Sequence, residues 1–265
     1  MNVSDWIKNR EIRGMVTFSM NDVYASFADV SPQYLYTELL RMVKRKRIQS
    51  VYRGFYVIVP PQYALKGIIP PTYYIDRLMQ FIGKPYYVAL LSAASFHGAA
   101  HQRPMKTQVV TVPPRASIAG RNGLIDWNYR QKIPTSLLMK TNTEMGTVLY
   151  SCPELTAVDI VQFAGNIGGY QRAATVLAEL SELLEEKRMS QVVDFATTAA
   201  LQRLGCILEH ILNETEKADT LYNILRDHKL TLKSIKMSNG HPKCESALSN
   251  RWHVNMNIDM EIDDI

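Results

Sequence analysis

Ser31-Pro32-Gln33-Tyr34-Leu35-Tyr36-Thr37-Glu38-Leu39-Leu40-Arg41-Met42-Val43-Lys44-Arg45-Lys46-Arg47 reads as a helix with both ends marked. Ser31 suits an N-cap, and Pro32 suits the first turn, where a backbone N–H has no helical partner to lose. At about 100° per residue from Leu35, the side chains of Leu39, Met42 and Val43 fall on or near one face. Gln33, Thr37, Arg41 and Lys44 fall roughly opposite. One face can therefore dock on a small core while the other offers amide, hydroxyl and cationic groups. Such groups read base edges and grip phosphates. Four consecutive cations, Lys44 to Arg47, close the helix and suit the negative end of its dipole.

The flanking sequence places this helix in a larger pattern. Upstream, Ser19 can cap a short helix reaching Phe27, with Met20, Val23, Tyr24 and Phe27 as its apolar stripe. Ala28-Asp29-Val30 is a tight connection between the two. Downstream, Ile48–Tyr52 and Phe55–Val59 are β-prone runs separated by Arg53-Gly54, which reads as a hairpin with an arginine at its tip. Ser4 can cap a first helix to about Arg10, with Trp6 and Ile7 inward. Gly14 stops it, and Val16-Thr17-Phe18 can pair with the hairpin. Helix, helix, basic helix and hairpin in this order predict a winged helix-turn-helix over residues 1–59. Its candidate DNA-binding residues are Gln33, Thr37, Arg41 and Lys44 on the helix and Arg53 on the wing. Arg45, Lys46 and Arg47 are candidates for phosphate contact.

Residues 60–72 hold Pro60-Pro61 and Pro70-Pro71 and are expected to form a fairly stiff linker. Residues 73–265 are expected to form a larger mixed α/β domain with a helical insertion and a C-terminal strand. Helices are predicted over Tyr73–Ile82 and Tyr86–Phe96, and strands over Thr107–Val112, Leu124–Tyr129 and Thr147–Tyr150. Arg115 to Gly123 reads as a loop. Further helices follow over Glu154–Ala164, Gln171–Leu184, Gln191–Leu212 and Ala218–Leu225. From Arg251 to Ile262, Trp252, Val254, Met256, Ile258, Met260 and Ile262 alternate strictly, as in a half-buried strand.

Composition narrows the class. The 265 residues, 46% hydrophobic and 21% charged, are those of an ordinary globular chain with length enough for a core. No apolar run is long enough to span a bilayer, and no signal-peptide pattern opens the sequence. Cys152, Cys206 and Cys244 are odd in number and widely spaced, which suggests no disulfide framework and a reducing cytoplasm. The net charge of +5 is unevenly spread. Residues 1–60 carry nine Lys/Arg against five Asp/Glu, residues 61–135 nine against two, and residues 136–265 twelve against eighteen. The front half suits a polyanion and the back half does not.

Motifs for chemistry are sparse. His97 and His101 stand at i, i+4 but have no acidic or Cys partner nearby. His241-Pro242-Lys243-Cys244 is one ligand pair where a structural zinc needs two. Gly165 to Gly169 lacks the Lys-Ser/Thr of a phosphate-binding loop and reads as an interhelix loop. Ser92 and Ser95 lie outside a nucleophile elbow. Asp259, Glu261 and Asp263 would share one face of the closing strand and could hold a divalent cation, although a solvated acidic edge is the plainer reading. No metal or other cofactor is expected, and no catalytic residue is assigned.

Three segments carry a resemblance: Tyr86 to Ala99 (YYVALLSAASFHGA), Ser151 to Val161 (SCPELTAVDIV) and Trp252 to Asp263 (WHVNMNIDMEID). With the N-terminal module, their order resembles the AbiEi family, the antitoxins of type IV abortive-infection toxin–antitoxin pairs. That resemblance implies a non-enzymatic antitoxin that also represses its own operon by binding inverted repeats in the promoter. It further implies a cognate toxin of nucleotidyltransferase fold, a role in phage defence, a cytoplasmic location and no membrane partner. Two alternatives stay open. One is a winged-helix regulator whose second domain senses a ligand, and the other a Mg²⁺ enzyme using the Asp259/Glu261/Asp263 edge.

Overall fold

The computed structural model describes residues 2–65, 69–99, 104–113, 124–143, 146–245 and 249–260. The fold is mixed α/β. Its backbone groups into two compact units, Met1–Tyr86 with Met105–Ile133 and Lys140–Leu149, and Tyr87–Pro104 with Pro134–Met139 and Tyr150–Ile265.

The first unit begins with α1 (Val3–Ile12), β1 (Thr17–Ser19), α2 (Met20–Ser26), α3 (Pro32–Lys44), β2 (Ile48–Tyr52) and β3 (Phe55–Ile58). α1 is capped by Asn2, whose side chain accepts the Asp5 N–H at 2.8 Å, so it starts earlier than a Ser4 cap would allow. Ser19 caps α2 in a reciprocal box: its hydroxyl accepts the Asp22 N–H, and the Asp22 carboxylate accepts the Ser19 N–H. The three strands form an antiparallel sheet in the order β1-β3-β2. Beneath it Trp6, Ile7, Phe18, Val23, Leu35, Leu39, Met42, Ile48, Tyr56 and Ile58 pack into one core. Trp6 meets Phe18 edge-on at 5.4 Å, and Phe18 stacks on Tyr56 at 5.3 Å. The predicted apolar stripe of α3 is buried here, and so, wholly or in part, are Met20, Val23 and Phe27 of α2, whereas Tyr24 is exposed.

α4 (Ile75–Ile82) follows a short 3₁₀ turn at Pro71–Tyr73 and ends at Gly83, whose φ of +72° is left-handed. The expected helix over Tyr73–Ile82 is therefore broken at Tyr74. β4 (Tyr86–Val88) and α5 (Leu90–Phe96) replace the single helix expected over Tyr86–Phe96. Leu90, at φ +54°, marks the break. β5 (Thr107–Thr111) and β6 (Ile125–Tyr129) pair in parallel, as strands at the expected places. β7 (Leu138–Thr143) has no counterpart among the expected elements, while β8 (Gly146–Ser151) does. These strands form a second sheet in the order β6-β5-β4-β8-β7. The expected loop over Arg115–Gly123 lies outside the described residues.

The second unit is largely helical: α6 (Pro153–Gln162), α7 (Tyr170–Ser181), α8 (Glu186–Val192), α9 (Thr198–His210) and α10 (Thr215–Asp227). The helix expected over Gln191–Leu212 is interrupted. A 3₁₀ turn at Val193–Phe195 follows α8, and Thr197 caps a new helix by accepting the Ala200 N–H. α6 is buried on every side from Pro153 to Val161, in contact with α5, α7, α8 and α9. Two of its carboxylates take hydrogen bonds: Tyr87 donates its hydroxyl proton to Asp159 at 2.8 Å, and Glu154 Oε1 accepts the Glu185 N–H at 2.7 Å. The expected closing strand is far shorter. β9 (Ile235–Lys236) and β10 (Val254–Asn255) form a two-residue parallel pair, and Trp252 sits in a turn before it, fully buried against Gly205 of α9. Residues 261 and 262 of the expected strand lie outside the described residues.

Candidate nucleic-acid interface

α3 is held at its start by Ser31, whose hydroxyl oxygen accepts the Tyr34 N–H at 3.2 Å. Leu35, Leu39 and Met42 face the core. On a 3.6-residue helix the row directly opposite them is Gln33, Thr37, Leu40 and Lys44. Gln33, Leu40 and Lys44 are exposed, and Thr37 is half-buried. Tyr34 and Arg41 flank the row on one side and Tyr36 on the other, all three exposed.

The predicted residues are not equivalent. The Thr37 hydroxyl donates its proton to the Gln33 carbonyl at 2.8 Å, so that proton is spent inside the helix. Arg41 is clasped by Glu38 on the same helix, with side chains 60% and 25% exposed. Lys44 is in the last turn, Arg45 caps it through an N–H to the Arg41 carbonyl, and Arg47 follows. All three are exposed, as is Lys46. Arg53 comes from the turn between β2 and β3, where Gly54 takes φ +73°. The Gly54 carbonyl accepts the Met20 N–H at 2.8 Å, tying that turn to the start of α2. Leu40, Tyr34 and Tyr36 were absent from the expected set. The same helical count that selected Gln33 and Thr37 also selects Leu40, and its apolar character hid it.

The other candidate chemistry stays apart from this surface. His97 donates from Nε2 to the Ser151 carbonyl at 2.8 Å, and burial pushes its pKa below the usual histidine value. His101 lies outside the described residues. His241 and Cys244 contribute backbone groups to a loop: the His241 carbonyl accepts from Lys236, and the Cys244 N–H donates to Asn255. Asp259 is exposed, while Glu261 and Asp263 lie outside the described residues. Among the described residues no three His, Cys, Asp or Glu side chains are grouped to hold a metal ion. Gly165 to Gly169 spans a 3₁₀ turn and the link from α6 to α7. Ser95 donates its hydroxyl proton to the Ser92 carbonyl. No helix among the described residues is long and apolar enough to cross a membrane.

Comparison with known proteins gives a family match over part of the chain. Residues 87–210 match the AbiEi antitoxin C-terminal domain. The AbiEi match takes in β4, α5 and the wholly buried α6, so the two motif segments within it act as core: they supply the Tyr87–Asp159 and Glu154–Glu185 hydrogen bonds. Among solved structures, the crystal structure of the RV2827C protein from Mycobacterium tuberculosis is similar, with a TM-score of 0.67 at 15% identity, over 95% of this chain and 89% of that one. At that identity the likeness is one of fold. No curated protein matches the sequence.

Proposed function

We propose that this chain is the antitoxin and transcriptional autorepressor of a type IV toxin–antitoxin pair. The AbiEi match over residues 87–210 carries the antitoxin half. In this reading residues 73–265 counteract a toxin of nucleotidyltransferase fold, and residues 60–72 connect them to the DNA-binding module. Residues 1–59 act as a winged helix-turn-helix on inverted repeats in the promoter of the protein's own operon. Support for the DNA half comes from one observation: α3 buries its apolar face and turns Gln33, Thr37 and Lys44 outward, with exposed Arg45 and Arg47 following in sequence and exposed Arg53 on the β2–β3 turn. α3 would enter the major groove, and the β2–β3 turn would meet the backbone or minor groove.

Fluorescence polarisation of the full-length chain on its upstream intergenic DNA, with a scrambled duplex and a salt series, tests this reading. Binding is expected to be selective and to weaken steeply with salt. Lys44→Ala and Arg47→Ala should each lower affinity and reduce the salt slope by about one. Glu38→Gln should tighten binding, because it releases the Arg41 guanidinium. Affinity equal to that for scrambled DNA would end the repressor reading. The antitoxin half is tested by growth on co-expression with the adjacent gene; failure to rescue would remove it. A cleft of about 440 Å³, lined by Arg10 and Phe55 of the N-terminal module and by Arg77 and Phe81 of α4, favours a changed form of the ligand-sensing alternative, in which the ligand sits against the DNA-binding module and not within the second domain. Thermal stabilisation by an anionic metabolite would support that one.

A further inference from the structure

We propose that Leu40 reads the 5-methyl group of a thymine, so that the DNA this chain selects carries an A·T pair facing the middle of α3. The inference rests on the DNA-binding reading above and adds the chemistry of the base being read. A single exposed leucine is ordinary, but the placing of this one is not. It lies on the row furthest from Leu35, Leu39 and Met42, between Thr37 and Lys44, and is 42% exposed. Tyr36, one turn back, is 45% exposed, so the apolar surface is extended rather than isolated.

Charge on α3 is divided along its length. The part of the outward row before Lys44 is uncharged: Gln33, Thr37 and Leu40. Arg41 beside it is held by Glu38, and Thr37 has given its hydroxyl proton to the Gln33 carbonyl. Beside the Gln33 amide and the Tyr34 and Tyr36 hydroxyls, what Leu40 itself offers to base edges in mid-helix is hydrocarbon. The major groove offers one apolar group, the thymine methyl. Exposed Lys44, Arg45 and Arg47 at the helix end, and exposed Arg53 on the hairpin turn, suit the phosphates that flank a base contact. The same cations argue against a second copy of this chain as the occupant, since pairing the two faces would oppose like charges.

Deoxyuridine differs from thymidine only by that methyl, so the test is made one methyl at a time. The full-length chain is first used to select duplexes from a random pool, and each thymine of the best duplex is then replaced in turn by deoxyuridine. At one or more positions the wild type should lose affinity roughly fourfold, the effect of one methyl group returned to water. Leu40→Ala should bind the thymine and deoxyuridine duplexes alike at that position, with its thermal midpoint unchanged. Selective binding that is indifferent to every deoxyuridine replacement would overturn the inference and leave the repressor reading standing. So would a Leu40→Ala variant that keeps the full methyl effect. A pool that yields no preferred sequence would overturn both. The wild-type scan needs no variant to fold.

Discussion

His97 shows how one side chain makes stability answer to pH. Burial is the largest influence on it and lowers its pKa, outweighing its hydrogen bond to Ser151 and the charge of Glu154. The unfolded chain, with histidine near its ordinary value of about 6.5, then takes up the proton first. Stability from this group is complete above that pH and is lost as the pH falls from about 6.5 toward the lowered folded value. Thermal midpoints should therefore drop between pH 7 and pH 5.5. His97→Gln, which can still donate to the Ser151 carbonyl, should flatten that part of the profile. An unchanged profile would mean that other histidines set it. At this same scale the sequence was legible where a residue's role is local: Ser19 and Ser31 are caps because two or three neighbours make them so. Leu40 was missed because its type suggested the core while its position pointed away from it.

Elements were legible where period and punctuation agree. α3 has a cap, a proline, a 3.6-residue stripe and a basic end, and its start followed from these, while its last turn closes at Lys44, ahead of Arg47. Tyr86–Phe96 gave no such guidance, since an unbroken apolar run suits a buried strand as well as a buried helix. The break at residues 196–197 carries neither Gly nor Pro, and its one local mark is Thr197, whose hydroxyl caps the next helix. The alternation over Arg251–Ile262 promised a strand, yet among the described residues of that segment only Val254 and Asn255 find a ladder partner, in Ile235 and Lys236. Trp252 in that segment is held elsewhere: its indole N–H donates to Glu209, and its ring lies where a Cβ on Gly205 would stand, at 2.2 Å. Gly205→Ala should therefore destabilise the protein by about 1–3 kcal/mol, although alanine favours a helix by about 1 kcal/mol. The urea midpoint measures this; a rise in stability would show that the Trp252 ring can give way.

Across the whole molecule the three cysteines report on the fold. Burial pushes the Cys152 and Cys206 thiols up to about 12, whereas Cys244 is half-buried. Since the thiolate is the reacting species, a thiol reagent at pH 8 should label Cys244 rapidly in the native protein and all three after unfolding. Rapid native labelling of Cys152 would contradict the burial of the segment before α6. The charge asymmetry was legible at this scale because it needs no fold. The division into units was not, because each unit gathers segments far apart in sequence. The two units use six alternating stretches of chain, and the backbone passes between them five times. Synthesis gives this arrangement a timetable. Residues 1–86 emerge first, but their unit still awaits Lys140–Leu149. At about 5–20 residues per second, the nascent chain waits several seconds with that unit unfinished. The core formed by residues 3–58 is available early, and the unit's remaining apolar surfaces are open to chaperones throughout that interval.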